Sequence, residues 1–192
     1  TLGFRGEALP SIASVSRISL LTSDGNNGSE IIIEAGEVLK CDNSAKNKGT
    51  EIKVKNLFYN TPARKKFLKP ASQEIRNVTK IIKRFVLSYP EISFFYQADD
   101  KTVYDFHSVD LNQRIVQLFG DSYKGNIINV DNSDESIKVS GYIGNLNLLQ
   151  RRKGSQYLFL NGRYINNASI SNAIRNCYDS TIERGEFPFY VL

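Results

Sequence analysis

The stretch with the clearest chemical potential is the glycine-bracketed segment Gly3 to Gly6, which a helical pattern follows at once. Glycines permit backbone conformations that other residues cannot adopt, and they let a ligand approach the chain closely. A helix that begins after such a loop presents unpaired N–H groups and the positive end of its dipole, which can hold a phosphate group. Because Pro10 is tolerated only in a first turn, the helix is predicted to begin around Gly6 or Glu7. The spacing alone is weak evidence, since most glycine-rich turns before helices bind no phosphate.

Three longer strings make the assignment more specific, and they occur in a fixed order along the chain. They are Gly3-Phe4-Arg5-Gly6-Glu7-Ala8-Leu9, the run from Leu57 to Leu68 (LFYNTPARKKFL), and the run from Phe159 to Ile165 (FLNGRYI). Together they resemble the MutL family of DNA mismatch repair ATPases, which belongs to the GHKL superfamily. The strings follow the family's order at about its spacing, so the resemblance covers essentially the whole chain.

The resemblance implies a role for the first string in binding ATP with magnesium. In this family the segment supplies backbone N–H groups to the terminal phosphates, and Arg5 and Glu7 would hold a lid rather than do chemistry. Glu7 is not the family's general base. The resemblance also implies that Thr50 helps to bind adenine, usually through water. The implied nucleotide-binding residues are Gly3, Phe4, Arg5, Gly6, Glu7, Ala8 and Thr50.

Other motifs of the family do not occur in this sequence. The family's general-base Glu, its magnesium-binding Asn and its adenine-reading Asp-Gly-x-Gly motif precede the first string, and a nucleotide-contacting lysine follows the position of Leu192. The chain has no Met and opens inside a motif, so a fragment of the amino-terminal region is expected. We therefore assign no catalytic residue and no metal ligand, and we expect the fragment to hold no nucleotide and to be inactive alone.

Composition indicates an ordinary globular protein with a mild excess of positive charge. The chain has 192 residues, 41% hydrophobic and 23% charged, with 25 Lys and Arg against 20 acidic residues. The resulting charge of +5 permits a nucleic-acid partner without requiring one. Cys41 and Cys177 are too few for a disulfide framework, so a reducing cytoplasm is predicted. No apolar run reaches the length of a membrane span, and the lone His107 has no nucleophile assigned to it.

Alternating residues predict strands over 17–23, 30–34, 37–41 and 50–55, arranged as an antiparallel meander with Ile52 and Val54 inward. Thr61 is predicted to cap a helix that begins at Pro62. A longer helix over 72–88 has a core stripe that includes Val78 and Phe85. Its basic residues are interpreted as a solvated face; they are Arg76, Lys80, Lys83 and Arg84.

The composition shifts after a predicted hairpin over 92–106, which in the family completes the ATPase sheet, and we place a domain boundary near residue 107. The second region alternates strands with helices, and its last helix would bury Cys177. With the resemblance, the fold class is α+β. Residues 1–107 would form the carboxy-terminal part of a GHKL (Bergerat) ATPase sandwich. Residues 108–192 would form a second, transducer-like α/β domain, similar to a ribosomal protein and truncated at its end.

The leading functional hypothesis is a MutL-type mismatch repair protein, an ATP-dependent clamp and matchmaker on DNA. The resemblance implies sequence-independent DNA binding, mismatch repair partner proteins and a homodimeric parent, with no membrane. The alternative is a non-catalytic DNA-binding module. The residues that best fit phosphate contacts lie beside turns or helix ends, where long side chains can reach a DNA backbone. They are Lys66, Lys69, Arg151, Arg152 and Arg163.

Overall fold

A computed structural model describes residues 6–45, 47–178 and 181–192. The chain divides into two compact units, Thr1–Glu74 and Ile75–Leu192. This division falls earlier than the boundary predicted near residue 107, because the end of the long helix and the hairpin after it pack with the second region. Compactness alone does not test the family's domain limits, so the boundary near residue 107 stays a prediction.

The first unit contains a four-stranded antiparallel sheet and two short helices, α1 (Ala8–Ala13) and α2 (Pro62–Lys66). Its strands are β1 (Arg17–Ser23), β2 (Gly28–Glu34), β3 (Glu37–Asn43) and β4 (Gly49–Lys55). The order in the sheet is β3-β2-β1-β4. The predicted four-strand meander is therefore wrong at its last step, because β4 pairs with β1 instead of β3.

Burial in this sheet is greatest on its central strand. Ile18 of β1 is only 3% exposed, and it lies directly opposite Val54 of β4. Ile52 and Val54 are each 44% exposed, so the prediction that they point into a core is wrong. The reason is the position of β4 at the edge of the sheet, which could not be inferred from its alternating sequence. Thr61 precedes α2 as predicted, but its side chain makes no capping hydrogen bond.

The second unit is built from three helices and seven strands over the residues that the structure describes. The helices are α3 (Ala71–Ser88), which begins in the first unit, α4 (Leu111–Phe119) and α5 (Ala168–Asn176). The strands are β5 (Phe94–Ala98), β6 (Lys101–Phe106), β7 (Ile127–Ser133), β8 (Lys138–Gly144), β9 (Gln156–Leu160), β10 (Arg163–Ile165) and β11 (Tyr190–Val191).

The larger sheet of this unit has the order β10-β9-β11-β8-β7. It is mixed, since β11 pairs parallel to β9 and antiparallel to β8. Within the described residues, β5 and β6 pair only with each other. The expectation that this hairpin completes the sheet of the first region is therefore not met, because the hairpin packs against α4 in the second unit.

An aromatic cluster fills the core of the second unit. Phe189 is fully buried, and its ring meets those of Tyr123 and Phe119 edge-on at centroid distances of 4.8 and 5.2 Å. From α3 the cluster takes Leu87, which is 2% exposed, and from α4 it takes Ile115. Such edge-to-face contacts add to the stabilisation from burial itself.

Two predictions about buried helix faces in this unit are wrong. Val78 and Phe85 of the predicted core stripe are 44% and 41% exposed, whereas Val86 is fully buried. The helix therefore presents a different side to the core from the one predicted by its apolar spacing. Cys177 is exposed, because α5 ends at Asn176 and Cys177 lies just beyond it.

A buried arginine joins α4 to the β5–β6 hairpin. Arg114 is fully buried, and its Nη2 donates hydrogen bonds to the carbonyls of Pro90, Ile92 and His107 at 2.8, 3.0 and 2.7 Å. The guanidinium also lies 5.1 Å from the centroid of the Phe106 ring. Desolvation lowers the pKa of Arg114, and the Glu91 carboxylate opposes part of that shift. Arginine nevertheless stays charged in proteins, so carbonyl dipoles and an aromatic ring surround a buried cation.

No helix among the described residues is long and apolar enough to cross a membrane. The described residues also contain no group of three or more His, Cys, Asp or Glu side chains placed to hold a metal ion.

The Arg114 contacts predict a large effect on stability. Arg114→Met removes the charged donor and leaves three carbonyls without it, so we expect the free energy of unfolding to fall by on the order of 3 kcal/mol. Arg114→Lys keeps the charge but lacks the planar fork, so it should recover only part of that loss. Urea unfolding of the 192-residue chain measures both. A change below about 0.5 kcal/mol for Arg114→Met would contradict this account of the buried cation.

Candidate functional site

The glycine segment of the first string leads directly into α1. Gly3, Phe4 and Arg5 lie outside the described residues, whereas Gly6, Glu7 and Ala8 are exposed. Gly6 has φ +101°, and an added Cβ would meet nothing within 4 Å. Glycine is favoured at this position by the left-handed backbone alone, because a side chain there would meet no neighbouring atom. The helix begins at Ala8, close to the predicted start.

Thr50 lies on the edge strand β4, next to Gly49. Its Oγ1 is 2.8 Å from the Oγ1 of Thr22, which is its cross-strand partner on β1. The pair is exposed, so both hydroxyls retain hydrogen-bonding capacity toward solvent or a ligand. A role in binding adenine stays a prediction.

The second string holds the end of the helix that the first string begins. The Phe58 N–H donates to the carbonyl of Val15 at 2.7 Å, and the Asn60 side-chain amide donates to the carbonyl of Ser14 at 2.9 Å. Phe58 has φ +63°, a conformation that is uncommon for a bulky residue. These bonds satisfy the carbonyl of Ser14, which caps the end of α1, and that of Val15, the next residue. The two strings therefore form one hydrogen-bonded structure.

An ion pair with an aromatic partner fixes the other side of the same turn. Arg17 of β1 and Glu34 of β2 form a salt bridge at 2.8 Å, and the Tyr59 hydroxyl donates to Glu34 at 3.1 Å. The Arg17 guanidinium lies 5.2 Å from the centroid of the Tyr59 ring. The hydrogen bond to Glu34 raises the pKa of Arg17. Desolvation raises the pKa of Tyr59, and the hydrogen bond to Glu34 raises it further. The turn is therefore joined to the sheet as well as to α1.

The third string forms a tight hairpin that packs on the end of α3. Asn161 and Gly162 connect β9 to β10 with φ values of +50° and +77°, as a type I′ turn requires. The Ser88 hydroxyl donates to the carbonyl of Gly162 at 2.7 Å. A Cβ at Gly162 would lie 2.9 Å from the Tyr89 hydroxyl, so this glycine also permits the close approach.

The five residues predicted to contact DNA are all exposed. Lys66 ends α2, and Lys69 follows it within the first unit. Arg151 and Arg152 lie in the loop before β9, and Arg163 begins β10, all within the second unit. The structure therefore makes all of them accessible, and their role in binding DNA stays a prediction.

A basic pocket in the second unit was not identified from the sequence. Its volume is about 580 Å³. Four cations line it: Lys80 and Arg84 from α3, Lys153 from the loop before β9, and Arg175 from α5. Its other lining residues include Tyr157, Tyr164, Asn166, Asn172, Phe187 and Tyr190. No carboxylate of the described part of the chain lines this pocket.

Aromatic rings position three of these cations. The Arg84 guanidinium lies 3.8 Å from the centroid of the Tyr164 ring. The Lys153 ammonium and the Arg175 guanidinium each lie 5.4 Å from the centroid of the Phe187 ring. Arg84 is half-buried against the Tyr164 ring, so interpreting it as part of a solvated helix face is wrong, whereas Lys80 is exposed as that interpretation expects. Tyr164 of the third string was the residue that could have pointed to the pocket, but nothing in the sequence indicated that it would contact α3.

Comparison with known proteins gives a consistent result. The family model described as the C-terminal domain of DNA mismatch repair proteins matches residues 115–192. The chain is 38% identical over 194 residues to the DNA mismatch repair protein MutL of Chlorobium phaeobacteroides, and 40% identical over 193 residues to that of Shouchella clausii. Both alignments cover 100% of this chain but only 31% and 30% of those relatives, so the chain spans about a third of their length.

Solved structures with a similar fold include two of an Aquifex aeolicus protein. The MutL ATPase domain complexed with ADP is 26% identical with a TM-score of 0.72, over 97% of this chain and 71% of that one. The ATPase domain of the bacterial mismatch repair endonuclease MutL is 27% identical with a TM-score of 0.71, over 94% and 68% of the two chains. The mixed α/β architecture is therefore one that mismatch repair ATPase domains also adopt.

Proposed function

Because the chain belongs to the MutL family of DNA mismatch repair proteins, we propose that it is part of an ATP-dependent clamp and matchmaker on DNA. The observation that carries the proposal is the hydrogen-bonded union of the first two strings. Asn60 and Phe58 are hydrogen-bonded to the end of α1, so the turn of the second string is joined directly to the helix that follows the glycine segment.

In this proposal the backbone of the glycine segment contacts the terminal phosphates of ATP. The left-handed Gly6 permits the turn into α1, and Glu7 and Ala8 follow at its exposed start. The similar Aquifex aeolicus domain was solved with ADP, which supports a nucleotide as the ligand. Thr50, exposed and hydrogen-bonded to Thr22, would contact adenine through water.

DNA is the proposed macromolecular partner. The five exposed cations predicted from the sequence would contact the phosphate backbone, and such contacts give affinity without base specificity. The further partners would be other mismatch repair proteins and a second copy of the parent protein. A non-catalytic DNA-binding module is the second candidate, and the four cations that line the basic pocket favour it.

One prediction of the proposed function concerns catalysis. The 192-residue chain is expected not to hydrolyse ATP by itself, because the family's general-base, magnesium-binding and adenine-reading motifs do not occur in this sequence. Release of inorganic phosphate from Mg-ATP measures this, with a full-length relative as the positive control. Magnesium-dependent turnover that Gly6→Ala abolishes would show that the active site is misassigned.

Another prediction of the proposed function concerns DNA. Binding should be independent of sequence and should weaken as salt rises, because contacts to phosphates displace counterions. Lys69→Gln and Arg151→Gln should each reduce the slope of log affinity against log salt by about one unit. Fluorescence anisotropy with two unrelated duplexes across a salt series measures these slopes.

The matched control for this series is Lys124→Gln. It removes the same charge from an exposed residue outside the proposed contact set, so its slope should equal that of the parent chain. If Lys69→Gln and Arg151→Gln also leave the slope unchanged, the DNA contacts lie elsewhere.

A further inference from the structure

The basic pocket brings together four cations without a matching negative charge. Lys80, Arg84, Lys153 and Arg175 line one cavity, and none of the described carboxylates lines it with them. Elsewhere in the chain exposed cations do pair with acids, as Arg17 does with Glu34 and Lys138 does with Asp131 at 3.5 Å. Like charges placed together repel each other unless a counter-charge lies near. The pocket therefore favours an anionic ligand.

Rings hold these side chains in place without cancelling their charge. Arg84 lies over Tyr164, and Lys153 and Arg175 both lie over Phe187. A cation–π contact orients a cation through the quadrupole of the ring and leaves its net charge intact. The positive charge of the pocket thus remains available to a ligand, and three of the four groups that carry it are already positioned.

Size and lining limit what the ligand can be. A volume of about 580 Å³ lies in the range of pockets that enclose a small molecule or a single cofactor-sized group. Asn166 and Asn172 add amide donors and acceptors beside the cations, and the partly exposed Tyr164 and Phe187 add aromatic surface. Cations, amides and aromatic rings together are the groups that recognise a nucleotide, through its phosphate and its base. A duplex is too wide to enter such a cavity, whereas one terminal nucleotide can.

We propose that the basic pocket binds the phosphomonoester of a nucleotide, namely the terminal phosphate of a nucleic-acid strand. The proposal rests on the DNA binding proposed above and adds a preference for phosphorylated strand ends. The cations contact the phosphate oxygens, and the terminal base lies against the aromatic lining.

A terminal phosphate suits this pocket better than an internal one for two reasons. An internal phosphodiester carries one negative charge, whereas a phosphomonoester carries about −1.5 to −2 at neutral pH and has three strong acceptor oxygens. Four cations around one cavity match the larger charge. A strand end can also enter a pocket of this size by itself, whereas an internal phosphate must bring both neighbouring nucleotides with it.

The test compares three single-stranded oligonucleotides of one sequence, carrying a 5′-phosphate, a 3′-phosphate or neither, by fluorescence anisotropy with an internal label. The protein is the 192-residue chain. We expect a phosphorylated strand to bind about tenfold more tightly than the unphosphorylated strand, as one or two charge-assisted hydrogen bonds would give. A free nucleoside monophosphate should compete away this gain and leave binding of the unphosphorylated strand unchanged.

Variants assign the gain to the pocket. Lys153→Gln and Arg175→Gln should each reduce the ratio of the two affinities, and Arg175→Lys should retain most of it. Lys124→Gln, which removes an exposed charge outside the pocket, should retain the full ratio. The ratio is the readout because a variant that merely loses stability weakens both strands equally. Circular dichroism melting of each variant identifies any that fails to fold, and in that case Arg84→Lys provides a second measurement.

The outcomes separate this proposal from the proposed DNA binding. Salt-dependent binding of the unphosphorylated strand reports the general DNA contacts, whereas the phosphate-dependent ratio reports the pocket. Equal affinities for all three strands would overturn the pocket proposal, as would a gain that survives Lys153→Gln and Arg175→Gln. Binding of the free monophosphate with no gain for phosphorylated strands would overturn the assignment to a strand end.

Discussion

Arg114 lies inside the second unit, and its Nη2 donates hydrogen bonds to the carbonyls of Pro90, Ile92 and His107. Those bonds fix α4 to both ends of the β5–β6 hairpin, and Ile115, the next residue of α4, enters the aromatic core. The same core includes Tyr157 of β9, a strand that also lines the basic pocket. Through this core, the buried charge of Arg114 is connected to a strand of the pocket that Arg114 itself does not line.

The local elements could be predicted from the sequence because their signals are local. The alternation of apolar and polar residues predicts β1 with its observed limits, and the Asn161-Gly162 pair predicts the hairpin turn. The pairing of β4 with β1 could not be predicted in this way, because it depends on the order of the strands in the whole sheet. The outward side of α3 was misjudged for the same reason, since Arg84 becomes half-buried only when the third string packs on it.

The candidate site, too, could be predicted from the sequence only in part. The sequence identified which strings matter, because their residue types and order resemble one family. It did not show that Asn60 and Phe58 hold the helix of the first string, since that contact joins residues far apart along the chain. Arg114 was missed altogether, because an arginine within a helix is normally solvated and no local signal distinguishes a buried one.

DNA binding through the second unit is the claim on which the account most depends, and hydrogen exchange tests it most directly. Amide exchange of the 192-residue chain, measured by mass spectrometry with and without DNA, should slow in the loop containing Lys153 and at the start of α5. Exchange in the β7–β8 hairpin, which does not line the basic pocket, should not change. Protection confined to β7 and β8, with none around the pocket, would contradict the account.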